Sequence, residues 1–310
     1  MITSIDFSFL DGLETYFNDT PYDIGRTKLY SPVDLYVGDY DKTVYKHYLE
    51  TGKFAKTTRE MLGRALHDFN MNRLLKAFLK TKNPRLNVGV MGGHGLLRTD
   101  EVYAQIVRLS KKLTEMGFMM VTGGGPGAME ATHLGAWMAG RNDEDVRRAL
   151  SILGDAPTYS EGDDAWLKTA SEVYHRWPQR SGYQSLGIPT WLYGHEPTTP
   201  FATNIAKFFD NSIREDAILT VAFGGIIYTP GSAGTLQEIF QEAVQNHYLS
   251  FGFASPMVFM GKRFWTEEMP IYPLLEQLMR SGRYQNLILS IHDDGDAIIN
   301  ELVKFRDEKA

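Results

Sequence analysis

Residues 225–238 read GIIYTPGSAGTLQE, in which an apolar strand-like run passes through a turn of small residues into a helix. Small residues let a ligand approach the backbone closely, and a helix N-terminus offers unpaired N–H groups and a positive dipole end to an anion. Ser232 and Thr235 add hydroxyl donors, and Glu238 follows Thr235 by about one helical turn. An isolated segment of this kind fits a capped strand-to-helix turn as well as it fits a phosphate site.

Two other glycine-rich turns occur in the same setting. Residues 92–95 (GGHG) follow the apolar run 87–91, and residues 123–129 (GGGPGAM) follow the run 118–122. The second turn partly matches a dinucleotide-binding fingerprint, but the next predicted strand does not end in an acid placed to hold a ribose diol. Each glycine group can be explained by crowding at a crossover. Three such turns in one sheet nevertheless favour a shared phosphate-bearing ligand.

From Asn87 onward, short apolar runs alternate with longer segments of helical periodicity. This alternation predicts an α/β domain in which helices connect the strands of a parallel sheet. Six strands are predicted, at 87–91, 118–122, 186–192, 225–228, 256–260 and 286–291. Helices are predicted at 99–116, 127–139, 202–221, 234–247, 272–280 and 296–305.

The first 82 residues do not follow this alternation. An aromatic, turn-rich opening leads into a helical segment at 57–80, where Met61, Leu62 and Phe69 share one apolar face. A second apolar cluster lies on a rotated face, which predicts a bend or break near Asn72. We therefore predict a helical N-terminal prefix, residues 1–82, that packs on the sheet domain.

A second irregular region interrupts the domain at about residues 141–185. It contains predicted helices at 144–153 and 164–177 around an acidic loop. We interpret this region as an insertion in a nucleotide-binding and catalytic domain at 83–310. The insertion is expected to cap the base pocket or to build an oligomer contact.

The composition argues against several classes of function. The 310 residues carry 38 acids and 32 bases, a net charge of -6, whereas nucleic-acid binding favours a basic excess. No apolar run reaches the roughly 18 residues that a membrane span requires. The absence of Cys excludes disulfides and thiolate nucleophiles, and with no basic N-terminal region it favours the cytoplasm. The eight His residues lack zinc-site spacing, so we expect no metal. The acidic charge and the short apolar runs predict no nucleic-acid partner and no membrane partner.

The glycine motifs, taken together with a fourth segment, resemble the LOG (Lonely Guy) family. The segments occur in that family's order and approximate spacing: GGH at 92–94, GGGPGAME at 123–130, GHEPTTP at 194–200 and PGSAGTLQE at 230–238. Bacterial purine and pyrimidine 5′-monophosphate nucleosidases are the members that this sequence resembles most, over about residues 87–305.

The resemblance implies a fold and a reaction. The fold is a Rossmann-like, doubly wound parallel sheet with helices on both faces. The reaction is hydrolysis of the N-glycosidic bond of a nucleoside 5′-monophosphate to free base and ribose 5-phosphate, without a cofactor. A homodimer or a dimer of dimers is also implied.

The resemblance also implies which residues act. Glu238, at the end of the PGxxGTxxE motif, and Arg214, upstream of it, would be catalytic. A carboxylate can stabilise positive charge on the ribose, and a guanidinium can hold ribose hydroxyls or phosphate. The predicted substrate- and phosphate-binding residues are Gly92, Gly93, His94, Gly124, Gly125, Gly127, Met129, Gly231, Ser232, Gly234 and Thr235. Without the flanking motifs, Glu238 would be interpreted as a solvated first-turn acid and Arg214 as a surface arginine.

Several alternatives stay open at this level. Ser232 replaces a glycine of the family motif and Gln237 replaces a common acid, so the preferred base is not identified. The same loops would also suit a non-catalytic sensor or carrier of a nucleotide or another phosphorylated ligand. Met129, Leu134 and Trp137, on the helix after GGGPG, fit either a subunit interface or the core.

Overall fold

The computed structural model describes residues 11–159, 164–194 and 196–308, so parts of the predicted prefix and insertion lie outside the described residues. Within the described ranges, seven strands form one parallel sheet in the order β4-β3-β2-β1-β5-β6-β7. The strands are β1 Asn87–Met91, β2 Met119–Thr122, β3 Ser185–Gly187, β4 Asn204–Ile205, β5 Ile226–Tyr228, β6 Pro256–Met260 and β7 Ile288–His292. The strand order reverses between β1 and β5, which confirms the doubly wound, Rossmann-like class.

Helices cover both faces of the sheet. They are α1 Asp11–Tyr16, α2 Pro32–Tyr36, α3 Tyr40–Thr51, α4 Thr58–Leu79, α5 Glu101–Glu115, α6 Ala128–Trp137, α7 Asp143–Gly154, α8 Ala165–Arg176, α9 Asn211–Leu219, α10 Ala233–Tyr248, α11 Ile271–Arg280 and α12 Gly295–Glu308. Val90 of β1 belongs to a buried cluster with residues of α5, α6 and α12, whereas the adjacent Met91 belongs to one with α4, α9 and α10. Because successive strand residues face opposite layers that are both covered, the central strands β1, β2 and β5 are buried along their whole length.

The predicted helix at 202–221 is wrong in its first half. Residues 204–205 form β4, which pairs in parallel with β3 and by an antiparallel bridge with Tyr30 of the prefix. The helix α9 begins only at Asn211. Asp210 caps it, because its side chain accepts a hydrogen bond from Ser212 N. Strand pairing with segments distant in sequence therefore overrides the local helical pattern.

The predicted strand at 186–192 is also too long. β3 ends at Gly187, because Pro189 has no N–H to donate and the chain turns away from β2. Beyond it, Thr190 makes a single bridge to Phe208.

The predicted bend near Asn72 does not occur, since α4 is one helix of 22 residues. In its first half the polar face packs inward: Arg64 and Asp68 are buried, whereas Met61 and Phe69 are exposed. In its second half Met71 and Leu75 are buried in the core. Hydrogen bonds satisfy the inward polar groups; Arg64 Nε, for example, donates to Glu60 Oε1 at 2.7 Å. The packing of the prefix thus depends on hydrogen bonds that an apolar periodicity cannot predict.

The insertion packs over α6. The Trp137 ring of α6 stacks on Tyr174 of α8 with centroids 4.6 Å apart, and its Nε1 donates to Trp177 O at 2.7 Å. Leu134 and Trp137 are consequently buried inside this chain. Of the two interpretations of this helix, core packing is the correct one.

A buried ion pair fastens the insertion to the GGGPGAME segment. Arg98 Nε donates to Glu130 Oε2 at 2.9 Å, and a second guanidinium nitrogen of Arg98 contacts Oε1. Arg98 also donates to Ala156 O at 3.1 Å and to Trp166 O at 3.2 Å, while Tyr103 OH donates to Glu130 at 2.9 Å. Glu130 is 0% exposed, so its charge depends on these partners.

Within the described ranges, no helix combines the length and the apolar character that crossing a membrane would demand.

Replacing Arg98 by Ala is expected to destabilise the fold by about 3–5 kcal/mol, because the Glu130 carboxylate would remain buried without its partner. Chemical unfolding measures this loss. Arg147→Ala, which breaks an exposed pair with Glu144, should leave the unfolding midpoint unchanged. A double variant, Arg98→Met with Glu130→Met, should recover much of the loss, since no unpaired charge remains. Equal midpoints for Arg98→Ala and Arg147→Ala would contradict this account.

Candidate functional site

The three glycine-rich turns meet at the carboxyl edge of the sheet, where the strand order reverses. Gly93 N donates to Pro230 O at 3.1 Å, which joins the turn after β1 to the turn after β5. Ala128 N donates to Gly93 O at 3.2 Å, which joins the turn after β2 to the same point. The predicted binding residues of the three turns are therefore neighbours in space, at the position where open α/β sheets bind ligands.

This close approach requires glycine at particular positions. Gly127 has φ +68°, and a Cβ there would lie 2.5 Å from Gly93 O. A Cβ at Gly92 would collide with the Thr229 side chain, and one at Gly231 with the Thr235 side chain. By contrast, a Cβ at Gly234 would meet no heavy atom within 4 Å, because this position at the start of α10 is exposed.

The start of α10 presents the donors that the sequence suggested. Leu236 N donates to Ser232 O at 3.0 Å, so the N–H groups of residues 233–235 precede the first regular helical bond. Ser232 and Gly234 are exposed, and Thr235 is buried behind them. This end of a 16-residue helix is able to bind an anion.

The loop after β2 is held from two sides. Gly124 has φ +73°, its N–H donates to Thr122 Oγ1 at 2.9 Å, and its carbonyl accepts from Thr199 N at 2.8 Å. Gly125 N approaches Met129 Sδ at 3.4 Å. Met129 thus supports the loop from inside the first turn of α6.

The GHEPTTP segment contributes an acid that the predicted set omits. Glu196 Oε1 lies 3.8 Å from His94 Nε2, and Oε2 lies 3.7 Å from the point that a Cβ of Gly125 would occupy. His94 is largely exposed, with 62% of its side chain accessible. The only sequence signal for Glu196 was its position in a motif beyond the third predicted strand.

Arg214 is not a free surface side chain. It extends from α9 beneath the ends of β3 and β2, and its Nε donates to Ile188 O at 3.0 Å. One guanidinium nitrogen lies 2.7 Å from the point that a Cβ of Gly123 would occupy. The absence of a side chain at Gly123 therefore leaves room for the guanidinium beside the second glycine loop.

Glu238 lies in the first turns of α10 and is partly buried. Burial raises the pKa of its carboxyl from the ordinary 4.5 to about 7, the Arg214 charge opposes that rise, and Glu215 adds to it. Glu238 is thus a largely desolvated carboxyl that lies within the electrostatic influence of Arg214. Perturbed carboxyls of this kind concentrate at functional sites.

A separate cavity of about 550 Å³ lies between the prefix, α8 and the GHEPTTP turn. Its walls include Tyr36, Tyr45, Tyr174, Pro197 and Pro200. None of the predicted site residues lines it.

In the part of the chain that the structure describes, no three His, Asp or Glu side chains are grouped so as to hold a metal ion.

Comparisons with known proteins assign no family to this chain. No protein-family model matches the chain, and no curated protein matches it significantly. A structural genomics target designated TM1055 is 16% identical with a TM-score of 0.43, over 70% of this chain and 98% of that one. A molybdenum cofactor binding protein from the phototrophic bacterium Rippkaea orientalis is 15% identical with a TM-score of 0.43, over 70% and 94%. At these values, neither structure indicates which chemistry this chain performs.

Glu238→Gln is expected to stabilise the protein more at pH 8 than at pH 5. The folded protein raises the pKa of Glu238, so it binds this proton more tightly than the unfolded chain does. Stability of the parent therefore falls as pH rises from about 4.5 through about 7, and Gln has no proton to lose. Thermal unfolding of parent and variant at both pH values measures the effect. Glu172→Gln, at an exposed position, is the control, and an equal midpoint difference at both pH values would refute the expectation.

Proposed function

We propose that this protein hydrolyses the N-glycosidic bond of nucleoside 5′-monophosphates, with free base and ribose 5-phosphate as products. The observation that carries the proposal is that three glycine loops meet at the reversal of strand order, with the Arg214 guanidinium beside the second loop at Gly123. Glu238 lies in the first turns of the helix that follows the third loop. The LOG-like order of the four motifs supports the same assignment.

In the proposed complex, the 5′-phosphate binds at the start of α10. The N–H groups of residues 231–235 and the hydroxyls of Ser232 and Thr235 would donate to it, with the open space beside Gly234 admitting its oxygens. The glycines of the other two loops would let the ribose and base lie against the backbone. His94 and Glu196 stand at the border of this space and would contact the sugar or the base.

Glu238 would act in its ionised form. As the C1′–N bond breaks, its electron pair leaves with the base, and positive charge develops on the ribose. The Glu238 carboxylate would stabilise that charge and accept a proton from the water whose oxygen bonds to C1′. The leaving base takes up a proton from solvent. The raised pKa makes Glu238 a better proton acceptor than an ordinary carboxylate near neutral pH.

Arg214 would hold the sugar or its phosphate in place. A guanidinium presents a rigid fork of donors, and the bond from Nε to Ile188 O fixes one edge of it. One of the other two nitrogens lies beside Gly123, and that anchor fixes its direction. Arg214 therefore serves binding and reaction alike.

Assembly and location complete the proposal. The resemblance favours a homodimer or a dimer of dimers, and the absence of Cys favours the cytoplasm. The helix α6 is covered by the insertion and is not available as a subunit contact. Any subunit contact must therefore use another surface.

A sensor or carrier role is the second candidate, because the same loops would bind a phosphorylated ligand without cleaving it. The two functions separate in one experiment. The purified protein is incubated with a panel of purine and pyrimidine nucleoside monophosphates, and free bases are resolved by chromatography. We expect base release from monophosphates and little from the corresponding nucleosides. Binding without base release would favour the sensor, and equal cleavage of AMP and adenosine would disprove the phosphate site.

Glu238→Gln is expected to lower kcat by about 10²- to 10³-fold while nucleotide affinity changes much less, since the phosphate contacts remain. Glu242→Gln is the matched control: it lies one turn along α10, is buried and accepts a bond from Ser255 instead of facing the loops. In the parent, kcat/KM should rise as pH increases through about 7, where Glu238 ionises. Equal losses in the two variants would refute the role of Glu238.

A further inference from the structure

The prefix reaches the helix that carries Arg214 through one carboxylate. Asp68 belongs to α4 and is 2% exposed, yet it serves the chain just before α9. Its two oxygens accept Phe209 N at 2.9 and 3.1 Å, and Oδ2 accepts Asp210 N at 2.8 Å. Three charge-assisted bonds thus fix two consecutive backbone N–H groups.

The fixed residues lead directly to Arg214. The Asp210 side chain caps α9 by accepting Ser212 N at 2.8 Å, and Arg214 N donates to Asp210 O at 3.3 Å. The position and the axis of the first turn of α9 therefore depend on where Asp68 holds residues 209–210. Because Arg214 closes this first turn, a shift of the helix start moves its side chain relative to Ile188 O and Gly123.

A second contact orients Asp68 itself. His67 Nδ1 lies 2.9 Å from Asp68 Oδ1, and His67 Nε2 lies 2.9 Å from Tyr30 OH. Because the Asp68 carboxylate only accepts hydrogen bonds, Nδ1 of His67 donates to it. Tyr30 OH also lies 3.1 Å from Tyr40 OH, so the hydroxyl that holds His67 is itself held within the prefix. The Tyr30 backbone is in turn paired with Ile205, with N···O distances of 2.9 and 2.8 Å.

We propose that Asp68 is a positioning residue for Arg214, through which the prefix sets the geometry of the candidate active site. The carboxylate does not touch the ligand space; it acts through residues 209–210 and the start of α9. The consequence for catalysis rests on the proposed nucleosidase function, but the mechanical coupling does not.

Glu60 provides a matched control within the same helix. It is 6% exposed and accepts hydrogen bonds from Tyr22 and Arg64, both of which belong to the prefix. Tyr22 and Arg64 also pack on the Phe209 ring, but Glu60 accepts no bond from the backbone of residues 209–210. Glu60→Gln should therefore weaken the prefix and leave the bonds from Asp68 to that backbone in place. Asp68→Asn keeps the size of the side chain but turns one acceptor into an NH₂ group that faces a backbone donor.

The test combines kinetics with amide hydrogen exchange. Asp68→Asn should raise KM and lower kcat, with a loss in kcat/KM of about 10- to 100-fold. In an Arg214→Ala background, the same change should cost less than about twofold, because its effect passes through Arg214. Exchange of the backbone amides at 209–216 should be faster in Asp68→Asn and unchanged in Glu60→Gln. Full additivity with Arg214→Ala, or equal exchange in the two carboxylate variants, would overturn the inference.

Two further outcomes remain decisive. If Asp68→Asn does not fold, His67→Gln replaces it; this variant weakens the orientation of Asp68 and should produce the same changes in smaller degree. If the parent cleaves no nucleotide, the proposed function fails, and the exchange comparison still decides whether Asp68 holds the start of α9.

Discussion

Backbone contact between the glycine loops is the constraint on which the site depends. The bonds from Gly93 N to Pro230 O and from Ala128 N to Gly93 O bring three strand ends together, and they form only because Gly92 and Gly127 lack side chains. A Cβ at either position would separate the loops. The packing of the protein itself therefore requires glycine at these positions. Gly234, by contrast, faces open space at the surface. The parallel sheet places these loops at the reversal of strand order, so fold and site have one origin.

The ionised carboxylate of Glu238 lowers the stability of the folded protein. A carboxyl whose pKa is raised to about 7 by burial is ionised at a cost to the folded state, and the Arg214 charge offsets only part of that cost. A purely structural acid would gain from solvent exposure near a helix start, where the dipole favours negative charge. Burial raises the pKa of Glu242, one turn further along α10, to about 7 as well. What distinguishes Glu238 from Glu242 is the nearby Arg214 charge, which opposes the rise in its pKa.

The prefix and the insertion surround the sheet without supplying the glycine loops. Arg98 and Glu130 lock the insertion onto α6, and Asp68 locks the prefix onto the start of α9. Both attachments are buried polar contacts, which hold one geometry more strictly than apolar surfaces that can slide. The two additions thereby limit the freedom of the second glycine loop and of Arg214.

The sequence by itself determined the fold class, most of the strands and helices of the sheet, and the meeting of the three glycine turns. Those features follow from local patterns: apolar runs, helical periodicity and glycines at strand ends. Tertiary structure alone decided the rest. The strand β4 exists because Tyr30 and β3 pair with it. The first half of α4 turns its polar face inward because its side chains form hydrogen bonds there. Glu196 approaches the glycine loops because the turn after β3 carries it there. Whether Glu238 is solvated or desolvated is likewise a property of the atoms packed around it, and these come from distant parts of the chain.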